Sequence, residues 1–312
     1  MVIRVTRRII EAVILLLAVG TIVFFLEHAV PGDPAVAILG GAAAHPTKEA
    51  VAAVTEQYGF DRPLLVQYVD FLGGLFRLDF GESYTLKQSV TTVIAGQIGP
   101  TLALTVSALV IAWVLSITST LLTAGKPGII GRLGSVVETV AAGLPQFWLG
   151  LVLLLVFAVQ LHWFPVIGSG VLGIVLPALT LAIPLAGFLG QVTRDEFEDK
   201  QQQPFVLSAR SRGLSGRAIR GKYVLRHAAL PGVTLSGWGL GSLISGAVIA
   251  EVVFARQGIG QVLVTAVSAQ DLPLVIGITF VVALVYVVAN ILTDLAYVVV
   301  DPRLRSTSGA AA

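Results

Sequence analysis

The chain has 312 residues, 55% apolar and only 12% charged, with a mean hydropathy of +0.89, where soluble domains carry about 25% charge. So few charges cannot cover a core of this size with a wetted surface, which excludes an ordinary soluble enzyme and leaves lipid as the solvent. The net charge of +2 is silent as a sum, and the absence of cysteine removes disulfides, thiolate metal sites and cysteine nucleophiles.

A helix crossing about 30 Å of hydrocarbon needs roughly 20 residues. Six apolar runs reach that length: 9–30, 101–124, 134–160, 171–192, 232–254 and 274–300. The first follows Arg4, Arg7 and Arg8 and is read as a retained helix, because it is longer than a signal core and five further runs commit the chain to the membrane. Segment 31–99 then carries seven carboxylates against four cations. Within it Thr47 caps a helix through Tyr58 that stops at Gly59. Leu64, Leu65, Tyr68, Phe71, Leu72 and Leu75 follow at the three- and four-residue spacing of an interfacial amphipathic helix, which either hugs the membrane as a lid or packs over the bundle.

Pro145, Pro177 and Pro184 each remove a backbone hydrogen bond and are expected to break or kink the third and fourth runs. Gly168, Gly170 and Gly173 match a dinucleotide fingerprint, but an apolar span follows rather than a parallel sheet, so they are read as a turn. Segment 195–231 opens acidic and then holds Lys200, Arg210, Arg212, Arg217, Arg220, Lys222 and Arg226 with no acidic residue among them. On the fifth run Gly237, Gly239, Gly241 and Gly246 allow close helix approach. With the N-terminus inside, 15 of the 20 basic residues fall on inner segments, so both termini are expected to be cytoplasmic.

No catalytic set can be assembled. Gly216 to Lys222 copies the first seven positions of a phosphate loop, but Tyr223 replaces the magnesium-ligating hydroxyl and no strand precedes it. Four scattered histidines have no metal spacing. Glu138, Glu251 and Asp294 lie toward the ends of runs, where interfacial water is within reach, and no midplane carboxylate marks a proton relay. That disfavours an autonomous ion-coupled transporter, the alternative from another class, and a membrane-embedded enzyme more so.

Phe205 to Ser215, followed by Tyr223 to Pro231, closely resembles the cytoplasmic coupling loop of ABC importer permeases of the dipeptide, oligopeptide and nickel type. Pro31 to Pro34, Phe60 to Pro63, Asp79 to Tyr84, Leu144 to Gly150, Glu251 to Phe254, Asp271 to Pro273 and Asn290 through Asp301 resemble further segments of that family, in order along the chain. The resemblance implies an all-α integral membrane protein, a single permease domain over 1–312 with six transmembrane helices, both termini cytoplasmic, and a coupling loop between the fourth and fifth. It implies a non-catalytic half of a translocation pathway in a bacterial inner membrane, paired with a second permease, two ATP-binding subunits inside that carry ATP and magnesium, and a substrate-binding protein outside. No cofactor in this chain and no nucleic-acid partner are implied. Ser208, Ala209, Arg210, Arg212, Gly213, Leu214, Ser215 and Arg217 would meet the ATPase, with Gly213 turning between two short helices; Pro145, Pro231 and Asp294 are structural landmarks. Leu207 stands where the motif has its glutamate, and Pro204 where this subgroup often has an acid; one salt bridge to the partner is then either absent or remade by Arg210 or Arg212. Peptides, nickel chelates and other small polar solutes all remain open as cargo.

Overall fold

The computed structural model describes residues 2–29, 32–41, 44–168 and 170–300; among them the chain is helical, with one isolated antiparallel bridge, Glu82 to Ser89, and no strand. In lipid each backbone N–H and C=O must be satisfied within its own segment, and helices do this. The helices are α1 (Val2–Ala29), α2 (Pro34–Ile38), α3 (Lys48–Tyr58), α4 (Leu64–Phe76), α5 (Val90–Thr123), α6 (Ile129–Gly143), α7 (Gln146–Leu153), α8 (Gly170–Gln201), α9 (Pro204–Ser211), α10 (Gly216–Ala218), α11 (Leu225–Ala228), α12 (Leu230–Val253), α13 (Ile259–Ser268) and α14 (Leu272–Val300). π-Helical turns continue α7 over Leu154–Gln160 and join α10 to α11 over Ile219–Val224. The side chains of Arg4, Arg7, Arg8 and Asp294, and the tail 301–312, lie outside the described residues.

Among the described residues, four helices are long and apolar enough to cross a membrane: α5, α8, α12 and Leu272–Thr293 of α14. A fifth span exists if Ile129–Gly143 and Gln146–Gln160 count as one, but they meet at 103°. The run over 134–160 is therefore broken at Pro145, as expected of that proline. Pro145 disfavours the α conformation at the residue before it, and Leu144 is accordingly extended (φ −72°, ψ 126°), which ends α6 and lets Pro145 start α7. Pro177 and Pro184 do not break α8, which runs through both. The second run also begins earlier than expected, since α5 starts at Val90 and carries Pro100 inside it. In α1 the apolar stretch with described side chains, Ile10–Leu26, is shorter than those four.

The chain divides into two compact units. The first comprises Met1–Pro100 and Gln257–Val287. Here α4 runs antiparallel to the C-terminal half of α1: Gly20 lies against Leu75, the Thr21 hydroxyl meets the Tyr68 hydroxyl at 2.7 Å, and buried Phe24 packs on Tyr68 and Phe71. Of the residues read from the spacing, Tyr68, Phe71 and Leu75 face α1, whereas Leu64 and Leu65 are exposed, Leu65 with Val69 and Phe76 on the opposite face, which is therefore apolar as well. Thr47 caps α3 by accepting from the Ala50 N–H, and Gly59 ends it at φ +70°, as expected. A separate core joins Val90 and Ile94 of α5 to Ile259, Ala266, Leu274 and Ile278.

The second unit comprises Thr101–Arg256 and Val288–Ala312. Its core is built largely of alanine and leucine: Leu104, Ala108 and Ala112 of α5, Ala178, Leu181, Ala182 and Leu189 of α8, and Leu243, Ala247 and Ala250 of α12. Small residues let these helices approach closely, which is how apolar helices associate when lipid removes the hydrophobic drive between them. Three α12 glycines serve this: Gly237 faces Thr293, Gly239 faces Leu185 and Gly246 faces Gln146 and Leu181. Gly187 does the same for α8, since a Cβ there would overlap the Glu138 carbonyl on α6.

Candidate functional site

The basic segment between α8 and α12 folds as a small structure on its own apolar core. Phe197 near the C-terminal end of α8, Val206 and Ala209 of α9, Ile219, Val224 and Ala228 pack with Ala124 at the end of α5, and all are buried. Pro204 starts α9, where a missing N–H costs nothing. The helix ends at Arg212, and Gly213 reverses the chain at φ +78°, a left-handed conformation open to glycine. Its N–H donates to the Arg210 carbonyl (2.9 Å). Ser215 then caps α10 by accepting from the Ala218 N–H. Pro231 sits in the first turn of α12, again where no N–H is needed.

This arrangement sorts the eight sequence-predicted residues. Ser208, Arg210, Arg212, Gly213, Ser215 and Arg217 are exposed, Leu214 is half-buried, and Ala209 is wholly buried, supporting α9 from beneath rather than presenting a surface. Leu207 is 71% exposed on the same outward face, one turn before Arg210. Among the described residues, no carboxylate pairs with Arg210, Arg212 or Arg217; the Arg212 Nε donates instead to the Ser208 carbonyl (3.1 Å). Among the described residues the segment therefore presents three exposed guanidinium groups without a carboxylate partner, and an apolar side chain, above its own buried core. Gly216 to Lys222 forms helical turns rather than a strand-to-helix phosphate loop.

Beside this surface lies a polar network that the sequence reading missed. Arg194 on α8 donates from Nε to Glu138 Oε2 (2.6 Å) and from Nη2 to Glu138 Oε1 (2.9 Å), with both residues buried. Ser119 of α5 donates to the same carboxylate (2.6 Å), and Arg194 also donates to the Thr123 hydroxyl. Glu138 therefore does not reach interfacial water, nor does Glu251, which is 0% exposed and accepts from the Thr101 hydroxyl (2.6 Å). Both charges of the first pair stood in or beside apolar runs, and ionisable groups so placed usually find each other; that signal was available.

In the other unit Asp271, also 0% exposed, accepts from the Ser83 hydroxyl (2.5 Å), the Tyr84 N–H (3.1 Å), and the Thr85 N–H (3.0 Å) and hydroxyl (2.6 Å). Burial raises its pKa, but these four hydrogen bonds outweigh burial and hold the carboxyl below its ordinary value. A cleft of about 770 Å³ in this unit is lined by Phe24, Tyr58, Phe60 and Phe71, with Asp33, Asp70 and Asp79. Each of those carboxylates is already engaged locally, by the Ala35 N–H, Arg62 and the Gly81 N–H.

Residues 116–306 match the family of binding-protein-dependent transport system inner membrane components, and residues 1–105 match the N-terminal domain of such components. A candidate peptide transport system permease of Brucella abortus (strain 2308) is 32% identical over 309 residues, covering 96% of this chain and 98% of that protein. The glutathione transport system permease protein of Salmonella typhimurium is 31% identical over 303 residues, covering 96% and 98%. Among solved structures, a chain of an inward-facing methionine ABC transporter superposes with a TM-score of 0.54 at 16% identity, covering 68% of this chain and 97% of its own. This last likeness is one of fold. Joined to the helical bundle and its basic segment, these matches place the chain in the family of binding-protein-dependent transport system inner membrane components, as a multi-pass permease subunit of an ABC importer.

Proposed function

We propose that this permease forms half of the translocation pathway of a peptide importer and couples it to separate ATPase subunits through α9, the Gly213 turn and α10. The observation that carries the coupling role is the exposed, unpaired Arg210, Arg212 and Arg217 on a segment stiffened by its own buried core. Ser208, Leu214 and Ser215 complete that surface, Gly213 sets its turn and Ala209 anchors it. Gly216 to Lys222 forms helical turns rather than a phosphate loop, and in this reading ATP and magnesium are bound by two partner subunits inside. A second, similar permease would complete the pathway, and an external binding protein would deliver cargo to the acidic outer segment.

In this reading α1 and the bent pair α6 and α7 join α5, α8, α12 and α14 as six spans with both termini cytoplasmic. Inner placement of most basic residues supports this orientation. Peptide cargo is supported by the names of the relatives, which include permeases for peptides and for glutathione.

The test is purification from the native membrane in mild detergent, followed by mass spectrometry. A second permease, two nucleotide-binding proteins and an external binding protein are expected to stay bound, and the bound peptide identifies cargo. Recovery of the chain alone, still moving solute in vesicles without ATP, would overturn the reading.

A further inference from the structure

Arg220 is the one arginine of α9 to α11 whose guanidinium turns onto α5. Its Nη2 donates to the carbonyl oxygens of Leu121 (3.0 Å) and Ala124 (2.9 Å), and the group lies 4.8 Å from the centroid of buried Phe197 on α8. The carbonyls of a helix's last turn lack intrahelical donors and carry the negative end of the helix dipole, so a cation there is favoured. A planar guanidinium can serve such carbonyls and an aromatic face together, which an ammonium does poorly.

The same end of α5 is held from α8. Glu198 accepts from the Gly125 N–H (3.0 Å), and Gly125, at φ +65°, lies so close to Gln201 that a Cβ would overlap its amide. Between α9 to α11 and α5, however, Arg220 makes the side-chain hydrogen bonds unaided among the described residues. The rest of that contact is apolar, through Ala124 and half-buried Leu121. Apolar surfaces resist separation but tolerate sliding, whereas two hydrogen bonds to fixed carbonyls resist both.

We propose that Arg220 is a positioning residue that makes the α9 to α11 segment and the inner end of α5 move as one body, so that displacement of the segment is delivered to α5. This rests on the reading that an ATPase subunit displaces that segment, and it adds the route by which the displacement enters the bundle.

This chain has no cysteine of its own, so once any partner cysteines are replaced, introduced cysteines carry the spin labels. Labels at Leu122→Cys on α5 and Lys222→Cys on the inner segment, in the complete complex in lipid nanodiscs, report their separation by dipolar EPR. Nucleotide-free and vanadate-trapped complexes are compared. With Arg220 present the separation should change by no more than about 2 Å on trapping, and with Arg220→Leu it should shift or spread by about 5 Å. Arg220→Lys, which keeps a donor, should fall between them. A change in the Arg220 protein as large as in Arg220→Leu, or Arg220→Leu behaving like the parent while only thermal stability falls, would overturn the proposal. Absence of any ATPase from the purified complex would instead overturn the reading on which it rests.

Discussion

Ser83 and Asp271, 188 residues apart, meet at 2.5 Å, and through this contact the loop after α4 is tied to the turn between α13 and α14. The carboxylate accepts four hydrogen bonds from three consecutive residues, so the loop is held by one acceptor. Replacing Asp271 with Ala leaves all four donors without it. Loss of about 3 kcal/mol is expected, since hydrogen bonds to a charged group are the strong ones and orphaned buried donors are costly. Thermal unfolding in detergent, with limited proteolysis at 83–89, measures this; unchanged melting and protection would contradict it.

The same carboxylate carries a pH dependence. Its folded-state pKa lies below the unfolded value of about 3.9. Its contribution is therefore complete above that unfolded value and declines as pH falls through the depressed folded one. Stability of the parent should be level in this term near neutrality and fall below about pH 4, and Asp271→Asn should flatten that part of the acid limb. Unfolding followed across pH in both proteins decides it.

Glu138 and Arg194 form a buried pair in which each charge depends on the other. Glu138→Leu or Arg194→Leu alone strands the partner and should cost about 3–5 kcal/mol, whereas the double substitution should cost clearly less than the sum. A double-mutant cycle on thermal stability tests this. Additive losses would mean that the two act independently.

Gly213 turns at φ +78°, where a Cβ is strained though nothing lies within 4 Å of it. Gly213→Ala should therefore cost only about 1 kcal/mol. Gly213→Asp, which also adds an anion beside Arg210 and Arg212, should uncouple transport while the protein stays in the membrane. Transport of a labelled peptide in reconstituted vesicles, against the amount inserted, separates the two; normal transport by Gly213→Asp would misplace the coupling turn.

Arg210 and Arg212 are exposed and have no carboxylate partner among the described residues. Replacing both with Glu should leave melting within about 0.5 kcal/mol of the parent, as exposed substitutions usually do, yet reduce recovery of ATPase subunits at least tenfold, a difference of about 1.4 kcal/mol. Undiminished recovery would return both arginines to a purely topological role.

The likeness to importer permeases supplied the short helices around Gly213, whereas the sequence by itself determined the solvent, the helical class, the Thr47 to Gly59 helix and the helical period of α4. Each follows from local rules: apolar run length, helical period, a capping hydroxyl, a glycine free to adopt positive φ. What those rules could not say is which faces would meet. Glu138 and Glu251 looked able to reach water from the ends of their runs, and only packing showed them buried, one against Arg194 and one against Thr101. Arg220 read as one more cytoplasmic charge until α5 was found ending beneath it. Pro145 and Pro184 carry the same chemistry, yet one stands at a 103° break and the other inside an unbroken helix. A proline's missing hydrogen bond is a local fact; whether the helix survives it depends on the neighbours packed around it, and those are supplied by distant parts of the chain.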